Sequence, residues 1–75
     1  MNLDEIKSIV ADILNISPSE VEPDSRFIED LGADSFRCIQ IITELEDRLG
    51  VQIPENVLEE ISTVEDALVA INDAT

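Results

Sequence analysis

Ser35 follows Asp34 in the run Leu31-Gly32-Ala33-Asp34-Ser35-Phe36. A serine in the first turn of a helix is exposed to a modifying enzyme. It also lies beside backbone N–H groups that have no intrahelical acceptor and at the positive end of the helix dipole, a setting that favours a phosphate ester. The dipole contributes about 0.3–1 kcal/mol at an exposed site, so it orients an anion without holding it. Asp and Ser also cap helices, and the two roles are compatible: Asp34 caps while Ser35 is modified. Most other chemistry is closed to this chain. It has no His, which excludes Ser-His and Cys-His pairs and imidazole metal ligands, so no metal site is expected. No segment supplies the Asp-x-Asp-x-Asp-Gly ladder of a calcium loop. The single cysteine, Cys38, cannot close an internal disulfide, which makes a reducing compartment the default. Packing as a small hydrophobe is its expected role, with disulfide dimerisation in air as the alternative.

The chain that positions these groups has 75 residues, 18 acidic and 4 basic side chains, and a formal charge of −14. Such a length makes one domain, over residues 1–75, and 44% hydrophobic content is enough for a core. The negative field repels phosphate backbones and anionic lipid, so neither nucleic acid nor membrane is an expected partner; basic patches on other proteins, or cations, are. No apolar run approaches the ~18 residues of a membrane span. The acidic start, Met1-Asn2-Leu3-Asp4-Glu5, is unlike a signal or transit peptide, which points to a cytoplasmic protein. A core this small supplies only about 3–5 kcal/mol, which argues against an enzyme with a walled pocket, including a hydrolase built on paired carboxylates.

Three stretches have the apolar spacing of amphipathic helices. Leu3, Ile6, Ile9, Val10, Ile13 and Leu14 form the first stripe, with Asn15 as its end and Ser17-Pro18 blocking continuation. A connection follows from about Ile16 to Ala33. Its run Ser19–Ser25 lacks helical periodicity, while Phe27, Ile28 and Leu31 are expected to anchor it on the core, Phe27 buried. The second helix begins at Asp34; Cys38, Ile42, Leu45 and Leu49 form its stripe, Ile39 and Ile41 widen it, and Gly50 stops it. Val51-Gln52-Ile53-Pro54 reads as extended, with Pro54 opening a short helix as its first residue and Val57, Leu58 and Ile61 turned inward. Ser62-Thr63-Val64-Glu65 matches a capping box, with Ser62 as cap and Glu65 reaching back, before Val64, Ala67, Leu68 and Ile71 of the last helix. The sum is an all-α four-helix bundle, three main helices and one short, with a long loop between the first two.

On these residues the chain resembles the acyl carrier proteins, whose hallmark is an Asp-Ser-Leu triplet after Leu-Gly-Ala or similar residues at the start of a second helix. Here the run is Leu31-Gly32-Ala33-Asp34-Ser35, with Phe36 in the place of Leu. The resemblance extends through Phe27-Ile28-Glu29-Asp30-Leu31, Leu45-Glu46, Ile53-Pro54 and Ile61-Ser62-Thr63-Val64, over essentially the whole chain. It implies a non-catalytic carrier acting as a monomer. Ser35 would be esterified with 4'-phosphopantetheine by a separate phosphopantetheinyl transferase, using coenzyme A and a divalent ion, and Asp34 would cap the helix and help dock that transferase. Acyl-transferring and chain-modifying enzymes of fatty acid, polyketide or related lipid biosynthesis would be further partners. The resemblance also implies an acyl chain shielded between the second and third helices, with Ile39, Ile42, Leu45, Ile53, Leu58 and Ile61 as lining candidates; ordinary core packing is the alternative for each. The alternative to the whole reading is an unmodified acidic helical protein-binding module.

Two positions depart from the family pattern. Relatives in fatty acid synthesis carry an acidic or small polar residue two places after the modified Ser, and Glu five places after it. This chain has Arg37 and Gln40 there. The other expected docking residues are Glu44, Glu46, Asp47, Glu55, Glu59 and Glu60. A positive charge beside the arm would repel a basic docking patch, which points to a specialised pathway. Alternatively, Arg37 is a solvated residue pairing with acids such as Asp34, or with the phosphate of the arm.

Overall fold

The computed structural model describes residues 1–75. Four helices follow in order: α1 (Leu3–Leu14), α2 (Ser35–Leu49), α3 (Glu55–Leu58) and α4 (Val64–Asp73), with no strands. Asn2 and Glu5 close a reciprocal cap at the start of α1, and Asn15 ends it in the left-handed conformation at φ 58°. Gly50 ends α2 at φ 65°, where a side chain would be strained. The apolar stripes of α1, α2 and α4 meet in one core, in which Ile6, Val10, Ile41, Leu45, Val64 and Ile71 are fully buried. Val21 and Phe27 join that core from the long connection, Phe27 buried as its sequence suggests.

The connection is more ordered than its composition implies. Pro18–Glu20 form one 3-10 turn, which Ser17 caps reciprocally with Glu20; three residues are too few to display a helical period. Further on, Arg26 pairs with Thr63 as an isolated antiparallel bridge, the Phe27 N–H donating to the Ser62 carbonyl and the Val64 N–H to that of Ser25, both at 3.0 Å. This pairing corrects the capping box. The chain is still extended at Thr63 (φ −112°, ψ 166°), so α4 cannot start earlier, and its cap pair is Thr63 with Asp66, not Ser62 with Glu65. Pro54 likewise lies one place outside α3: its φ of −59° suits a helix, but its ψ of 146° leaves it as the N-cap. Ile28 does not anchor the connection. The turn that buries Phe27 directs its neighbour outward, leaving Ile28 58% exposed, while Leu31 packs against the core.

Candidate functional site

The approach to Ser35 is built from backbone bonds. Gly32 takes φ +73°, open to glycine and costly for others, and the Ala33 N–H then donates to the Phe27 carbonyl at 2.9 Å, which sets buried Ala33 on the core. Asp34 is extended (φ −94°, ψ 178°) and caps α2, its Oδ1 accepting the Arg37 N–H at 2.8 Å. Ser35 is the first helical residue and is exposed. As in any first turn, the N–H groups of Ser35 and Phe36 have no intrahelical acceptor. An exposed hydroxyl with free donors beside it fits a phosphodiester.

About one turn along α2 from Ser35, an apolar groove of about 240 Å3 opens between α2, the 26–29 turn and the α3–α4 segment. Ile39, Ile42, Leu58 and Ile61 line it, as anticipated. Leu45 and Ile53 do not: the core face of α2 carries Leu45 underneath, and both are buried at 0% and 3% exposure. Sequence reasoning missed Phe27, Ile28, Cys38 and Thr43 in the lining, and Arg26 and Glu29 at its edge. Thr43 was available from its position one turn after Ile39; the loop residues come there through long-range pairing, which carries no local signal. Cys38 is half-buried in this wall, and its thiol is pushed above the usual range by burial and then by the nearby charge of Asp34.

The charged residues separate by side. Arg37 does not pair with the Asp34 carboxylate; its Nη1 donates to the Ile13 carbonyl near the end of α1 at 2.7 Å, where a cation suits the free carbonyls. Glu44 is engaged by Arg48 at 2.9 Å. The Oε2 of Glu46 accepts the Ile53 N–H at 2.7 Å and lies in the groove wall, so this carboxylate is occupied internally. Gln40, Asp47, Glu55, Glu59 and Glu60 are exposed. Phe36, 72% exposed beside Ser35, was not anticipated as a surface feature, although it falls opposite the apolar stripe of its helix. No helix is long and apolar enough to cross a membrane.

Comparison with known proteins agrees with this geometry. The family model for the phosphopantetheine attachment site matches residues 4–70. An acyl carrier protein of Sulfurovum sp. (strain NBC37-1) is 45% identical over 65 residues, covering 87% of each chain. One from Thermosynechococcus vestitus is 44% identical over 71 residues, covering 95% of this chain and 88% of its own. Among solved structures, the hexanoyl form of the carrier from the actinorhodin polyketide synthase of Streptomyces coelicolor superposes with a TM-score of 0.84 at 29% identity. That match covers 99% of this chain and 90% of the other.

Proposed function

This chain belongs to the acyl carrier protein family, a non-catalytic carrier of acyl groups on 4'-phosphopantetheine, and we propose on that premise that Ser35 is its attachment residue. The observation that carries the assignment is an exposed serine hydroxyl in the first turn of α2 on the same flank as an apolar groove. The Ser35 Oγ forms the bond to phosphorus, adenosine bisphosphate leaves from coenzyme A, and the hydroxyl proton passes to solvent. The free N–H groups of the first turn orient the resulting phosphodiester, and Asp34 holds that turn in place through the Arg37 amide. Once attached, the arm supplies a terminal thiol that holds the acyl group as a thioester. Coexpression with a broad-specificity phosphopantetheinyl transferase followed by intact mass measurement tests the assignment. A gain of one phosphopantetheine, lost in Ser35→Ala, is expected. No gain with any transferase favours the unmodified binding module.

The partner surface reads as the exposed side of α2 and α3, with Asp34, Glu44, Asp47, Glu55, Glu59 and Glu60 facing basic patches on the transferase and the biosynthetic enzymes. Within that field, Arg37 and Gln40 alter the charge pattern and support service in a dedicated pathway, for the single carrier unit of residues 1–75 acting as a cytoplasmic monomer. Arg37→Asp should raise the rate with a ketosynthase of general fatty acid synthesis severalfold. An unchanged rate removes the basis for altered docking.

A further inference from the structure

The stretch of α2 that presents Ser35 is the part least tied to the bundle. From Ser35 to Gln40 no side chain is buried, and the contribution of α2 to the core starts at Ile41. Cys38 is half-buried, while Phe36 and Ile39 are 72% and 66% exposed. No backbone hydrogen bond runs from this stretch to another element; the Cys38 N–H donates locally, to the Asp34 carbonyl at 3.0 Å. Few buried contacts and unpaired terminal N–H groups are the marks of a segment that opens locally at low cost.

One side chain ties it to a neighbouring helix by a hydrogen bond. The Arg37 Nη1 donates to the Ile13 carbonyl at 2.7 Å, while the backbone N–H of the same residue is held by the Asp34 Oδ1 at 2.8 Å. The acceptor suits the bond. Ile13 lies in the last turn of α1, where carbonyls lack intrahelical donors; no backbone N–H reaches this one, and α1 has no basic residue there of its own. The chain of bonds from Asp34 through Arg37 to Ile13 therefore runs from the residue before Ser35 across to α1.

Resting on the Ser35 assignment, we propose that Arg37 is a positioning residue for phosphopantetheine transfer. Its bond to α1 holds the first turns of α2 against the bundle and fixes the direction in which the Ser35 hydroxyl meets the transferase. Misplacing an attacking group by about 1 Å is enough to slow a reaction. This role and the electrostatic one act in opposite senses. As a cation facing a basic docking patch, Arg37 weakens binding, so its removal tightens the complex. As a tether it speeds the transfer itself, so its removal slows it.

Single-turnover transfer from coenzyme A by a broad-specificity transferase, followed by intact mass at rising transferase concentration, separates binding from transfer. In Arg37→Ala the saturating rate constant should fall about three- to tenfold, the size of one charge-assisted bond, with half-saturation unchanged or at lower concentration. Arg37→Lys, which keeps a cationic donor, should recover part of that rate. Asn2→Ala removes the side-chain cap at the far end of α1; it controls for a general loss of stability and should transfer at the parent rate. In the unmodified protein, amide exchange at Ile39 and Gln40 should quicken severalfold in Arg37→Ala and be unchanged at Leu45. An unchanged saturating rate or unchanged exchange in Arg37→Ala, a Lys variant no faster than the Ala variant, or an equal fall in Asn2→Ala overturns the proposal and leaves the Ser35 assignment standing. If the unsubstituted protein gains no phosphopantetheine, the Ser35 assignment fails and this proposal with it.

Discussion

Along one flank of α2 run Ser35, Ile39, Ile42 and Glu46; along the other run Arg37, Ile41, Glu44 and Arg48. The second flank is tied to α1 through Arg37, and its charged residues stay at the surface. Ile41 is fully buried, Arg37 holds the Ile13 carbonyl, and Glu44 and Arg48 hold each other. On the first flank Ile39 remains 66% exposed over an open groove, whose other walls are the 26–29 turn and the α3–α4 segment; α3 itself, a helix of four residues with no side-chain cap bond at its start and no buried residue, contributes Leu58. One helix therefore has one side tied to a neighbouring helix and another that borders an open groove. The difference lies in what faces each side: twelve residues of capped helix in α1, against a short segment held at its two ends.

The most damaging substitution for this comparison is Leu45→Ala, in the core beneath both flanks. It should cost about 2–5 kcal/mol, comparable to the whole stability of such a domain, and urea titration should find the protein largely unfolded. Ile39→Ala on the groove side should stay within about 0.5 kcal/mol of the parent while reducing the protection of a loaded acyl thioester against hydroxylamine. Equal losses of stability from the two would erase the distinction between core support and groove border.

Arg37→Ala should lower stability by about 1 kcal/mol, because a charge-assisted bond to α1 is lost at an exposed site. Arg37→Lys, whose ammonium lacks the planar fork, should recover part of that. If Arg37→Ala leaves the urea midpoint unchanged, the flank beside α1 does not depend on this tether.

The rear anchor of the groove wall is Asp66, whose carboxyl is held below its ordinary value of 3.8 by the N–H groups of Ser62 and Thr63. A folded-state value below the unfolded one means the contribution is complete above about pH 4 and is lost as pH falls through the depressed value. Urea midpoints measured downward from pH 5 should therefore decline, and Asp66→Asn should flatten that decline. Thr63→Ala, which removes the other half of the cap, should cost about 1 kcal/mol at neutral pH. The smallest effect concerns Cys38. Its raised thiol should alkylate more slowly than free cysteine at pH 8, and the gap should narrow when the protein is unfolded in urea.

The local signals in the chain were sufficient for much of this. Asn15 and Gly50 end their helices where the apolar periodicity stops, Asp34 caps the helix it precedes, and the Gly-Ala-Asp-Ser run locates the serine proposed as the attachment residue. Errors arose where distant segments meet. The cap of α4 moved from Ser62 to Thr63 because Arg26, far away in the chain, holds residue 63 extended. Ile53 was assigned to the groove but is buried outside its lining, while Glu46, expected as a docking acid, also accepts the Ile53 N–H and lines the groove. Helical spacing indicates which residues share a face but not which part of that face a neighbour covers.

The order of the helices, the ends of α1 and α2, the acidic surface and the hydroxyl at the head of α2 were determined by the sequence alone, because each depends on residues within a turn or two of one another. Which flank of α2 is tied to α1, where Arg37 places its charge and which side of the helix borders the apolar groove were decided only by the folded bundle. Those properties depend on α1, the 26–29 turn and α3 being packed around one helix. That packing is a balance of burial and hydrogen bonding over the entire chain, not a preference of any one segment.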